Sequence, residues 1–181
     1  MENKPALIII DMWDQYHANH TRFQSITEQT VNRLVKLIKR WQGPVILTCY
    51  NTYRDTNNTA EWGKPPGSEV FPWKGPDMLL QHCIENIEFG LVSWDTTEVL
   101  NFLDIHNVVN IYFAGASYPG CVTERELGAN SPKMSKFNNS IIIDCVVNYM
   151  STGYNDYEII HDAYRHAIKN DSHRIVTSDT L

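Results

Sequence analysis

The segment Ala6-Leu7-Ile8-Ile9-Ile10-Asp11 limits what this chain can fold into more than any other. Its apolar residues run without a polar break and stop at a carboxylate. A strand with one face in water alternates apolar and polar residues. A run apolar on both faces needs cover above and below, which is the environment of a strand inside a parallel sheet. The pattern recurs. Pro44-Val45-Ile46-Leu47-Thr48-Cys49-Tyr50, Val108-Val109-Asn110-Ile111-Tyr112-Phe113-Ala114-Gly115, Ile141-Ile142-Ile143-Asp144 and Arg174-Ile175-Val176-Thr177 read as further strands, with a weaker candidate from Ile84 to Val92. Helical signals lie between them. Ser25-Ile26-Thr27-Glu28 has the form of a capping box, and Val31, Leu34, Val35, Leu37, Ile38 and Trp41 recur at helical spacing until Gly43-Pro44 stops the run. Pro76 to Cys83 reads as a short helix opened by proline. Asp95-Thr96-Thr97-Glu98 opens another through Val99, Leu100, Phe102 and Leu103, and Tyr157 to Ile168 is a third. Asn51 to Gly75 lacks periodicity and reads as a long loop over the ligand face.

Strands alternating with helices predict a three-layer α/β/α fold around a mainly parallel, Rossmann-like sheet. With 181 residues and 20.9 kDa, the chain is expected to form a single domain over residues 1–181. A net charge of −6 argues against an electrostatic grip on nucleic acid or anionic lipid, since both need clustered cations. The run from Ala6 to Ile10 is far shorter than the ~20 residues of a membrane span, and no small-residue cleavage site follows it. Four cysteines without a CxxC pair do not suggest a disulfide framework or a zinc site. The expectation is an acidic cytoplasmic protein that acts on a small molecule, with neither nucleic acid nor membrane as partner.

In parallel α/β sheets ligands bind beyond the carboxyl ends of the strands, where strand order reverses. Two residues there carry chemistry. Cys121 follows a strand ending Ala114-Gly115-Ala116 and a tight turn, Ser117-Tyr118-Pro119-Gly120, and precedes a helix expected from Val122. A thiol at a helix start meets backbone amides that favour thiolate and can hold an oxyanion. Cys49, Cys83 and Cys145 fall inside strand or helix patterns and read as small buried hydrophobes. Asp11, ending the first strand, needs either a partner or a role as base. If the strands ending at Asp11 and Gly115 are neighbours, Asp11 and Cys121 face one cleft. Trp13, Tyr50 and Tyr118 flank that cleft and are the candidate substrate-binding aromatics.

These residues carry a resemblance to the isochorismatase-like cysteine hydrolases. Leu7-Ile8-Ile9-Ile10-Asp11-Met12 is similar to the hydrophobic strand ending in Asp that opens members of that family. Gly115-Ala116-Ser117-Tyr118-Pro119-Gly120-Cys121-Val122 is similar to their G-x-x-x-x-x-C-V turn. The resemblance implies an Asp–Lys–Cys triad: the aspartate takes the thiol proton, the lysine stabilises the thiolate, and the cysteine attacks a carboxamide carbon to release ammonia. It also implies a non-proline cis peptide at Ala116–Ser117 and a homo-oligomer. Asp11 and Cys121 match the triad. Spacing from Ser93-Trp94-Asp95-Thr96 puts the lysine position at Glu88, whose charge would oppose a thiolate. Arg125, Arg54 and Lys74 are the cations that can take the lysine's place.

No metal and no cofactor are expected. The segment Tyr50-Asn51-Thr52-Tyr53-Arg54-Asp55 lacks the Asp-x-His that metal-binding relatives carry there. His17, His20, His161 and His166 read as surface or structural groups. Three functions stay open on the residues. The first is a cysteine hydrolase of a small carboxamide or related C–N bond, with Cys121 as nucleophile and Asp11 as base. The second is an acid catalyst pairing Asp11 with Glu88, and the third a silent binding or assembly module.

Overall fold

The computed structural model describes residues 3–12, 21–48, 60–63, 75–147 and 173–181, with the side chains of 21–26 left aside. The first strand, β1 (Ala6–Ile10), is buried at every residue, as a run apolar on both faces requires. Its alternate side chains enter two separate cores. Leu7 and Ile9 pack with Leu34, Leu37 and Ile38 of helix α1 (Thr21–Ile38) and with Leu79 and Cys83 of α2 (Asp77–Asn86). Ala6, Ile8 and Ile10 pack with Val99, Phe102 and Leu103 of α3 (Thr96–Ile105). One sheet between two helical layers is the three-layer α/β/α architecture.

The sheet has seven strands in the order β3-β4-β2-β1-β5-β6-β7. Its other members are β2 (Val45–Thr48), β3 (Ala60–Trp62), β4 (Gly90–Val92), β5 (Asn110–Ala116), β6 (Asn138–Val147) and β7 (Arg174–Val176). All pairings are parallel except β3 against β4. With β2 on one side of β1 and β5 on the other, the strand order reverses at β1, and the register Ile10↔Gly115 sets Asp11 beside Ala116.

Local signals were overridden in three places. Helix α1 begins at Thr21, so Ser25 lies inside it and is not its N-cap. No residue from Thr21 to Gln24 is a helix breaker, so a capping sequence does not oblige the helix to start there. Residues Ile84 to Asn86, expected in a strand, complete α2, and β4 keeps only Gly90–Val92. Within the expected loop, Ala60–Trp62 forms a short antiparallel edge strand, too short to show a period. Trp62 lies where a Cβ on Gly90 would be, 1.7 Å from its ring, and donates its indole N–H to the Ile87 carbonyl. The glycine admits the tryptophan, and the tryptophan covers the edge. The expected helix from Tyr157 to Ile168 lies outside the described residues.

Candidate active site

At the carboxyl end of β1 the chain leaves the sheet through Asp11, whose φ of 51° lies in the left-handed region. Aspartate tolerates that conformation better than most side chains. The Asp11 N–H still donates to the Thr48 carbonyl at 2.9 Å, so the residue is anchored to β2 as it turns. On the other side, Gly115 has φ 107°, and a Cβ there would stand 2.1 Å from the Ile10 carbonyl oxygen. Only glycine allows β5 to approach β1 this closely immediately before the turn. The turn contains cis peptides at Ala116–Ser117, as the resemblance implies, and at Tyr118–Pro119.

Cys121 is the second residue of α4 (Gly120–Glu124) and is half-buried. That helix is a single turn, closed by Thr123 N–H on the Pro119 carbonyl. Its dipole is correspondingly weaker than a long helix would supply. Cys83 and Cys145 are buried, and desolvation pushes each thiol up to about 12. Both behave as core residues.

The chain then folds back. Gly128 N–H donates to the Arg125 carbonyl at 2.8 Å, and Ala129 and Asn130 N–H return to the carbonyls of Val122 and Thr123. A Cβ on Gly128 would stand 2.6 Å from the Thr123 oxygen, so glycine makes the return possible. This turn delivers Arg125 to Asp11. Its Nη2 lies 2.8 Å from Oδ2 and its Nη1 donates to Oδ1 at 3.2 Å, a two-pronged fork between residues 114 apart in sequence. The Asp11 side chain is 9% exposed and that of Arg125 32%.

Glu88 is elsewhere, which corrects the expectation that it shares the site. It precedes β4, at the amino edge of the sheet, is 70% exposed and pairs with Lys4 at 3.9 Å. The reason is that β4 begins only at Gly90, so the residue at its carboxyl end is Ser93. Ser93 is fully buried; its hydroxyl donates to Glu98 Oε2 at 2.7 Å and accepts from the Asp95 N–H at 3.0 Å. A further acid at this end, Glu126, accepts from Thr96 at 2.8 Å and pairs with Lys133. Hydrogen bonds from Lys133 and then Thr96 hold its carboxyl below the usual glutamate value. Neither Ser93 nor Glu126 stood out in the sequence, because each gains its meaning from a partner on another element.

Tyr118 also departs from expectation. It is 1% exposed and packs in the core with Val122 and Leu127, so it does not flank an open cleft. Its N–H donates to the Val147 carbonyl at 2.9 Å, which draws the turn against the end of β6. Trp13 and Tyr50 lie outside the described residues, as do Cys49, Arg54, Lys74, His17, His20, His161 and His166. Among the described residues no three His, Cys, Asp or Glu side chains are grouped to hold a metal ion, and no helix is long and apolar enough to cross a membrane.

No family model matches the chain, and no curated protein matches it by sequence. Solved structures match it throughout. An isochorismatase-like hydrolase from Alkaliphilus metalliredigens is 13% identical with a TM-score of 0.56, covering 98% of this chain and 96% of its own. The chain has the isochorismatase-like hydrolase fold. Yeast nicotinamidase bound to the inhibitor nicotinaldehyde shares this fold at 13% identity and a TM-score of 0.57, covering 96% and 99% of the two chains. A ribonuclease from Caenorhabditis elegans shares it at 17% identity and a TM-score of 0.55, covering 98% of this chain and 78% of that one. Such identities carry the isochorismatase-like fold and leave residue roles to be argued from the site.

Proposed function

We propose that the protein is a cysteine hydrolase that cleaves a small carboxamide or a related C–N bond, with Cys121 as nucleophile and Asp11 as its base. One observation carries this reading. The fold sets Asp11 beside the turn that bears Cys121, at the carboxyl edge where strand order reverses, and closes Arg125 onto that carboxylate. In the proposed reaction the thiol proton passes to Asp11 and the sulfur attacks the carbonyl carbon. The C–N bond breaks as the nitrogen takes the proton back, and water then hydrolyses the thioester, restoring the thiol. Arg125 supplies the cation that Glu88 does not. Nicotinamidase, which shares the fold, is named for amide cleavage. The ribonuclease that also shares it shows that the fold leaves the substrate open, and a net charge of −6 speaks against a nucleic acid here. A homo-oligomer acting on a small molecule in the cytoplasm accompanies this reading.

The test is ammonia release from a panel of small amides, together with the pH dependence of iodoacetamide labelling at Cys121. Labelling with an apparent pKa well below ~8.5, and turnover lost in both Cys121→Ala and Asp11→Asn, is the expected result. A binding module is the second reading, favoured by the lack of a lysine at the position the resemblance implies, where Glu88 stands instead and pairs with Lys4. It requires that no amide is turned over and that Cys121 labels no faster than a free thiol.

A further inference from the structure

Arg125 and Glu126 are neighbours in the chain and are fastened to different elements. Arg125 leaves α4 in extended backbone, with φ −70° and ψ 164°, and meets Asp11 at the end of β1 at 2.8 and 3.2 Å. Glu126 accepts from the hydroxyl of Thr96, the first residue of α3, at 2.8 Å, and its other oxygen pairs with Lys133. The end of β2 lies between these anchors. The Asp11 N–H donates to the Thr48 carbonyl, and the Ser93 N–H, three residues before Thr96, donates to that of Leu47. Two strand spacings, about 10 Å, separate β1 from β4, so residues 125 and 126 tie β1 to α3 across the end of β2. Thr96 is buried and Glu126 exposed, which makes the hydroxyl the fixed end of this bridge.

Resting on the reading of Asp11 as the base, we infer that Thr96 and Glu126 are positioning residues for it: their hydrogen bond fixes the turn that carries Arg125, and thereby how closely the guanidinium is held on Asp11. Attraction between unlike charges falls with distance, and a two-pronged contact needs both nitrogens in place. A small displacement of the arginine backbone therefore changes the proton affinity of the carboxylate. Lys133, on the second oxygen, helps keep Glu126 ionised and so a strong acceptor for the Thr96 hydroxyl. The turn does not need the bridge in order to fold. Leu127 is buried with Tyr118 and Val122, the Gly128 N–H donates to the Arg125 carbonyl, and the Ala129 N–H returns to Val122. These contacts keep the segment on the core, and the bridge adds the restraint toward α3. In this role Thr96 and Glu126 act through Arg125.

The experiment follows the Asp11 carboxyl carbon by NMR through a pH titration of the full chain, in wild type and in variants of the bridge. Thr96→Val, isosteric but without the hydroxyl, is expected to raise the Asp11 midpoint by about half a pH unit, part of what a neighbouring arginine imposes on an aspartate. Thr96→Ser restores the wild-type midpoint, and in Arg125→Gln the change Thr96→Val has no further effect. Glu126 supplies a check that needs no change at Arg125. Loss of a nearby anion by itself lowers an aspartate midpoint, so a rise in Glu126→Ala over Glu126→Gln, which still accepts from Thr96, marks lost positioning. Equal midpoints in wild type and Thr96→Val, or no rise in Glu126→Ala over Glu126→Gln, overturn the inference, as does a Thr96→Val effect that persists in Arg125→Gln. Iodoacetamide labelling of wild-type Cys121 tests the underlying reading separately. Labelling no faster than a free thiol removes Asp11 as base to that cysteine, while the titration still decides whether the bridge positions Arg125.

Discussion

Gly115 shows how one residue conditions the site. Its φ of 107° and the 2.1 Å separation from the Ile10 oxygen leave an added methyl nowhere to go, because what it meets is the backbone of the central strand. Gly115→Ala is therefore expected to lower stability by at least about 2 kcal/mol, combining left-handed strain with displacement of β1 from β5. Urea denaturation read by fluorescence checks this, and an unchanged midpoint would contradict the close approach. The cysteines supply a second prediction at this scale. Thiols held at about 12 by burial are almost wholly protonated near neutrality, so native Cys83 and Cys145 should resist iodoacetamide at pH 8 while half-buried Cys121 is modified. Mass mapping before and after unfolding separates the three, and rapid native labelling of Cys83 or Cys145 would count against the packing described.

At the level of elements, capping and turn contacts fix where the functional ends of the strands point. Asp95 caps α3 through the Glu98 N–H at 2.9 Å, and Glu98 reaches back to Ser93 at the end of β4. Asp95→Ala should cost about 1 kcal/mol, the ordinary worth of an aspartate N-cap, read as a shift in the denaturation midpoint. At the far side of the sheet, Asp144 in β6 accepts from the Ser178 N–H at 2.8 Å and from its hydroxyl at 2.5 Å, while Arg33 of α1 donates to the Asp144 carbonyl. These contacts fasten the terminal 3₁₀ turn (Ser178–Thr180) to the sheet. Asp144→Ala should speed amide exchange at Ser178 several-fold, as local anchoring is lost, with little change in the central strands. Unaltered exchange at Ser178 would mean the tail is held by other means.

Across the whole molecule, the two edges of the sheet have different chemistry. The carboxyl edge carries Asp11, Arg125 and Cys121, whereas the amino edge carries Glu88, Lys4 and the rings of Phe89 and Phe102 against His106, at 5.0 and 4.5 Å. Burial there pushes the His106 imidazole below its ordinary value, with Glu61 and Glu88 opposing the shift. The sign follows from proton counting. Below pH 6.5 the unfolded chain takes up the proton more readily than the folded one, so this contribution is present above that pH and is lost as pH falls through the folded value. His106→Gln should flatten part of the stability loss as pH falls below 6.5, measured as urea midpoints at several pH values. A profile identical to wild type would show that the ring keeps its solution behaviour.

The chain order alone determined the alternation of doubly apolar strands with helices, and hence the three layers, because burial on both faces leaves a mark on every residue of a strand. It also singled out Asp11 and Cys121, since a carboxylate ending a central strand and a thiol after a Pro-Gly turn are placed by local rules. Ser25 and Glu88 show where such rules end. A capping motif and a count of residues along the chain cannot say where a helix begins or which edge of the sheet a loop occupies, because strand length is set by pairing with neighbours. The fork between Asp11 and Arg125 lay beyond any local reading. Its partners are 114 residues apart, and they meet only because β1 pairs with β5 and because Gly115 and Gly128 let two backbones pass within contact distance. Composition and periodicity record what a residue buries; which charge it faces is decided when the strands are brought together.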